Sequence, residues 1–213
     1  MTSSYLSNLD DFPLYKKLPN GRELLFIHIP KTAGTSINRT LELPRPNRPK
    51  FKKHYNISEL VQLLPPEVLT RAFVFSVVRN PWDRLVSFYF FRRTVYLNRK
   101  SERTPKRDQH FSSFEHWVYA EQEAGTLGKV NLRPQWEWFY DRDDQPVVNF
   151  IGRFERIEAD FQRLCEQLGL PPIALEFHNK SRRPADYREL YNKHLYKLVE
   201  EVYWRDIELF GYR

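Results

Sequence analysis

One pattern constrains this chain more than any other: an apolar run, a tight turn and a helical stretch follow one another in that order, and they do so twice. The first run is Glu23 to Ile29, where Leu24, Leu25, Phe26, Ile27 and Ile29 leave almost no polar face. A strand with one wet side would alternate, so this run predicts a strand covered on both faces. A loop with Pro30 and Gly34 closes it, and a helix is expected from Thr35 to about Leu43, stopped by Pro44, Pro46 and Pro49. The second run is Phe73 to Val78. Asn80-Pro81-Trp82-Asp83 then reads as N-cap, proline at the first helical position and an acidic first turn.

The remaining chain reads in the same terms. A short extended piece is expected near Phe51 to Tyr55, and a helix from Ser58 to Leu64 with Ser58 as N-cap. Tyr96 to Gln109 is polar and basic without periodicity, which predicts an exposed loop able to cover a site. A helix over Ser113 to Glu123, a third strand over Pro146 to Ile151 and a helix over Glu155 to Leu168 follow, the last ended by Gly169, Pro171 and Pro172. One long helix is expected from Asp186 to Phe210, with Tyr191, Leu195, Leu198 and Val202 on one face and Gly211 as its stop. Strands separated by helices imply parallel pairing and a three-layer α/β architecture around a central parallel sheet. At 213 residues the chain fits one compact domain.

Charge narrows the partners without choosing among them. A net charge of +7 favours an anionic partner, but nucleic acid, membrane surface, nucleotide and acidic polysaccharide all qualify. Lys and Arg gather at Lys50, Lys52 and Lys53, between Arg92 and Arg107, and at Lys180, Arg182 and Arg183. The single cysteine, Cys165, excludes an intramolecular disulfide and a thiolate metal cluster. It lies on the helical stripe Ile157, Phe161, Leu164, Cys165, Leu168 and reads as a packed core thiol. The histidines fall into no ligand pattern, so no metal is expected. The first nineteen residues hold no apolar run long enough for a signal peptide or a membrane span, from which a cytoplasmic location is expected.

Two motifs carry the chemistry. His28-Ile29-Pro30-Lys31-Thr32-Ala33-Gly34-Thr35-Ser36 joins a buried strand to a helix. A turn there aims backbone N–H groups and the positive end of a helix dipole outward, which suits a phosphate or sulfate. Lys31 adds a full charge, and Thr35 and Ser36 add hydroxyl donors. It is not a Walker A loop, because the lysine precedes the glycine. In the second motif, Val77-Val78-Arg79-Asn80-Pro81-Trp82-Asp83-Arg84-Leu85-Val86-Ser87, Arg79 follows the carboxyl end of a strand, where open α/β sheets bind ligands. Ser87 lies two turns into the following helix. Taken singly, an arginine there often pairs with a carboxylate and such a serine often does nothing.

Together these residues resemble the sulfotransferases that use 3′-phosphoadenosine 5′-phosphosulfate (PAPS), in particular the carbohydrate and heparan sulfate 2-O-type group. The resemblance continues through Phe150-Ile151-Gly152-Arg153-Phe154-Glu155, Asn179-Lys180-Ser181 and Asp206-Ile207-Glu208-Leu209-Phe210-Gly211-Tyr212. It implies that Lys31, Thr32, Ala33, Gly34, Thr35 and Ser36 hold the 5′-phosphosulfate, that Arg79 and Ser87 hold the 3′-phosphate, and that Lys180 and Ser181 belong to a late basic loop closing over the nucleotide. It also implies sulfuryl transfer to a hydroxyl, with Lys31 stabilising the leaving phosphate. His54, in Lys52-Lys53-His54-Tyr55, stands where the resembling enzymes place a catalytic histidine and is the expected base, with Glu137 as its rival. His28, in the strand leading into the loop, is expected to be a fixed group that is either structural or supports the site residues from behind. Arg133, Gln135 and Trp136 are candidates for the acceptor cleft, and Trp138 for either cleft or core.

Two other readings compete. A phosphate-loop kinase or nucleotidase would use a similar strand–loop–helix, but no Walker A sequence with an acidic metal site is evident. A nucleic-acid-binding module would explain the basic, aromatic-rich stretches, but none of the usual zinc spacings, RNP sequences or G-x-x-G clamps occurs.

Overall fold

The structure, a computed structural model, describes residues 6, 8–44, 51–99, 101, 103–176 and 183–213. In chain order its elements are β1 (Tyr15–Lys17), β2 (Glu23–Ile27), α1 (Gly34–Thr40), α2 (Ile57–Leu63), α3 (Pro66–Arg71), β3 (Phe73–Val78), α4 (Pro81–Asn98), α5 (Pro105–His110), α6 (Phe114–Glu123), β4 (Phe150–Arg153), α7 (Ile157–Leu168), α8 (Lys193–Val202) and α9 (Trp204–Phe210). They pack into two compact units, one of Met1–Val78 with Gln135–Asn179 and one of Arg79–Pro134 with Lys180–Arg213.

The first unit holds a sheet in the order β1-β2-β3-β4. β2 pairs in parallel with β3, and β3 with β4, while the three-residue β1 lies antiparallel on β2. The fold is thus mixed α/β with a mostly parallel sheet flanked by helices, as the repeated strand–turn–helix pattern requires. The continuous apolar runs explain themselves: Leu24 and Phe26 with Phe75 and Val77 cluster with Ile37 of α1, its C-cap Leu41, and Phe161, Leu164 and Leu168 of α7. Leu25, Ile27, Val74 and Val78, which alternate with them, are also buried. Each such side chain contributes about 1.5–3 kcal/mol by leaving water, so the two central strands are costly to displace. Cys165 is buried in the same cluster, and burial pushes its thiol up, as befits a packed thiol.

The second unit is helical with an aromatic interior. The indole of Trp82 stacks on Tyr196 at 4.4 Å and donates through Nε1 to the carbonyl of Tyr196, while the Tyr191 hydroxyl donates to the carbonyl of Trp82. Arg84 is buried and donates to the carbonyls of Arg133 and Asn131, and the Tyr203 hydroxyl donates at 2.6 Å to the carbonyl of Leu132 between them. Three consecutive carbonyls with no helical partner are satisfied in this way. Burial pushes the Tyr203 phenol well up, so it remains a donor at any ordinary pH.

Several expectations need correction. The N-cap of α2 is Asn56, not Ser58: Asn56 accepts from the Glu59 amide and Glu59 reaches back to the Asn56 amide, a reciprocal capping box. Residues 51–55, expected as a short extended piece, belong to neither helix nor strand, and the Tyr55 hydroxyl accepts from the Lys52 amide. The stretch from Tyr96 to Gln109 is not one loop. α4 continues to Asn98, and Thr104 with Pro105 supplies the N-cap and first position of α5, with buried Tyr96 donating to Asp108 at 2.8 Å. β4 begins at Phe150 rather than Pro146, because Asn149 exchanges hydrogen bonds with Val74 partly through its side chain and stands in for a strand residue. The carboxyl-terminal helix is divided. A 3-10 turn occupies Tyr187–Leu190, Asn192 caps α8 afresh, and Tyr203 breaks α8 from α9. β1 and α3 were not expected, since neither Tyr-Lys-Lys nor a six-residue helix leaves a readable period.

Candidate active site

The loop after β2 is shaped by an unusual backbone. Lys31 (φ 71°) and Ala33 (φ 67°) both lie in the left-handed region, while Thr32 between them does not. For residues with a Cβ each such conformation costs roughly 1–3 kcal/mol, and strain of this kind persists where the surroundings over-determine it. The surroundings are visible. The Thr32 hydroxyl, fully buried, donates to the carbonyl of Ile29, and the amides of Ser36 and Ile37 donate to Ala33 as α1 begins. Thr32 therefore braces the loop with its side chain, and Ser36 is buried at the start of the helix. Alternation of left-handed and ordinary residues forms the kind of concavity that backbone amides line for anions.

Two residues from the segment after α1 meet this loop. Lys53 donates to the Thr35 hydroxyl at 3.0 Å, bringing a second lysine to the neighbourhood of Lys31. His54 places Nδ1 2.8 Å from the carbonyl oxygen of His28. A carbonyl can only accept, so Nδ1 carries a proton, and in the neutral ring the lone pair then falls on Nε2, the tautomer a base needs. The ring of His54 meets His28 edge-on at 4.4 Å and Trp138 edge-on at 6.3 Å. His28 is buried, and burial first, then the charges of His54, Lys53 and Lys31, hold its imidazole well below the ordinary histidine range. It is neutral at neutral pH.

In the second unit, Arg79 directly follows β3 and is 4% exposed. Its Nε and Nη2 both donate to Oδ2 of Asp83, at 2.8 and 2.7 Å, and Arg183 pairs with Oδ1 of the same carboxylate. Asn80 caps α4 by accepting from the Asp83 amide. One carboxylate thus holds two guanidinium groups, so the cluster keeps a net positive charge. Ser87 is buried on α4.

The description of the sulfotransferase family matches residues 20–213, nearly the whole chain. The chain belongs to the sulfotransferase family. No curated protein sequence matches it. Membership supports sulfuryl transfer as the general chemistry of the chain.

Other expected site residues of the sulfotransferase divide into three groups. Lys180 and Ser181 lie outside the described residues. Arg133 donates through Nε to the carbonyl of Val130, and its own carbonyl is held by Arg84, so its backbone is fixed within the second unit. In the first unit Gln135 and Trp138 are buried, whereas Trp136 and Glu137 are partly exposed, with Trp136 edge-on to Tyr140. Trp138 is therefore core and a wall for His54, and of these two tryptophans Trp136 is the one with exposed surface. Sequence reasoning missed Lys53, Asp83 and Arg183 as parts of these clusters. Lys53 was adjacent to His54 in a basic run, and Asp83 had been credited only with favouring a helix start.

Proposed function

We propose that this sulfotransferase takes a sulfuryl group from PAPS and places it on a hydroxyl of a carbohydrate. The observation that carries the reading is the strained loop from Lys31 to Ser36 with His54 held beside it in the tautomer of a base. Lys31 and the loop amides bind the 5′-phosphosulfate, and Arg79 and Ser87 bind the 3′-phosphate, as the resemblance implies. Lys180 and Ser181 are assigned to the nucleotide on the same ground.

The residues then divide the work of an in-line displacement. The acceptor oxygen attacks sulfur as the bond from sulfur to the bridging oxygen breaks, and the electron pair stays with the departing phosphate. Lys31 stabilises the charge that grows there, an interaction stronger in the transition state than in the ground state. His54 accepts the hydroxyl proton at Nε2, since an alcohol is a weak nucleophile at neutral pH. Carbohydrate as acceptor is supported by the resemblance and by Trp136, whose partly exposed ring suits a sugar face.

Calorimetry with 3′-phosphoadenosine 5′-phosphate and with adenosine 5′-monophosphate tests the donor. Binding of the first at least tenfold tighter than the second is expected, because only the first carries the 3′-phosphate. Equal affinities would remove PAPS as the donor.

A further inference from the structure

His28 occupies the floor under the loop. Its ring is 2% exposed and stacks on Phe26 with centroids 5.2 Å apart and planes 12° from parallel. Its Nδ1 is buried and has no hydrogen-bond partner among the described residues. Gly34 rests directly on the ring: a Cβ built there would lie inside the van der Waals envelopes of Nε2 and Cδ2 and 2.6 Å from Cε1. Conformation is not what requires glycine, because Gly34 is outside the left-handed region that Lys31 and Ala33 occupy. The same residue turns His54, by its carbonyl at Nδ1 and by its ring edge.

We propose that His28 is a positioning residue whose ring sets the height of Gly34, and with it the Lys31 to Ser36 loop, while its carbonyl and ring edge set His54. The inference rests on the reading of that loop as the donor site and of His54 as the base. One side chain then registers donor and base against each other. An error of about 1 Å in such a register costs on the order of 10²-fold in rate. A core filler need only be apolar and of suitable volume. His28 is held instead by shape against a position where no side chain fits, and the charged groups acting on it, His54, Lys53 and Lys31, are all cationic when protonated.

A size-exchange cycle tests this. Gly34→Ala, His28→Ala, His28→Val and the two double variants are compared by calorimetry with 3′-phosphoadenosine 5′-phosphate, by turnover of PAPS and by thermal midpoint. Gly34→Ala is expected to weaken nucleotide binding and lower kcat, each at least 30-fold, and the His28 variants about tenfold. Each double variant should bind at least tenfold tighter than Gly34→Ala, since removing the ring makes room for the methyl. Losses that multiply, with no rescue, would overturn the proposal. So would rescue of the thermal midpoint alone, with binding and kcat unmoved, because that is the behaviour of a purely structural contact. If His28→Ala fails to fold, Gly34→Ala against Gly34→Ala with His28→Val decides the matter. Failure of the wild-type chain to bind the nucleotide, whatever the thermal cycle shows, would overturn the donor reading and this role with it.

Discussion

Removing the Asp83 carboxylate should unsettle the second unit far more than removing a typical surface charge. Asp83 accepts two hydrogen bonds from Arg79 and pairs with Arg183, and the side chains of Arg79, Asp83 and Arg183 are only 5, 12 and 16% exposed. Deleting one member of a buried pair leaves a guanidinium in a poorly solvated place without its carboxylate, which costs about 3–5 kcal/mol. For a chain of this length that is a fall in Tm of roughly 6–20 °C. Glu201→Ala is the control, since Lys197 and Glu201 stand 3.9 Å apart with 72 and 63% exposure, and an exposed helical pair is worth about 0.5 kcal/mol or less. Urea unfolding of Asp83→Ala, Glu201→Ala and the parent, followed by circular dichroism, separates the two sites. A loss below about 1 kcal/mol in Asp83→Ala would refute the reasoning, because it would mean that water or another acceptor replaces the carboxylate at little cost.

Other consequences are measurable. Lys31→Ala should lower kcat about 10²-fold at saturating PAPS, as loss of a preorganised electrostatic donor does, and near-normal turnover would remove Lys31 from the chemistry. His54→Ala should erase the acidic limb of the pH–rate profile, and a retained limb would transfer the base to another group such as Glu137. His28 is held below the ordinary value of 6.5, so the unfolded chain takes up a proton near that pH that the folded chain refuses. Stability is therefore complete above pH 6.5 and declines as pH falls, with a slope approaching about 1.4 kcal/mol per pH unit, and His28→Val should flatten that slope between pH 6.5 and 5. Tyr203→Phe should cost about 1–3 kcal/mol in urea unfolding, because the Leu132 carbonyl loses its donor in a buried place.

Features set by local chemistry were legible in the sequence. Phe73 to Val78 and the Asn80-Pro81 helix start appear where expected because apolar continuity, capping and proline act within a few residues. The edge strand β1 was not legible, since Tyr15, Lys16 and Lys17 are too few to show a period and are placed by pairing with β2. Asn149 shifted the start of β4 by using a side chain where a strand would use its amide. In the loop, Lys31 and Ala33 take a conformation their residue types avoid, and Gly34, which reads as a turn glycine, is dictated by His28 six residues earlier. The contacts of Lys53 with Thr35 and of His54 with His28 span 18 and 26 residues, and Arg183 reaches Asp83 across 100. No period or spacing encodes such meetings. Resemblance supplied the roles proposed for Lys31, Arg79 and Ser87, whereas the carboxylate shared by Arg79 and Arg183 emerged only from the fold.

The most direct test of the central claim is incubation of the purified chain with sulfur-labelled PAPS and a panel of glycans, with mass detection of products. The account predicts label on a glycan hydroxyl, stoichiometric release of 3′-phosphoadenosine 5′-phosphate, and loss of both in Lys31→Ala. Label remaining on PAPS with every glycan, together with metal-dependent turnover of ATP by the same preparation, would contradict it.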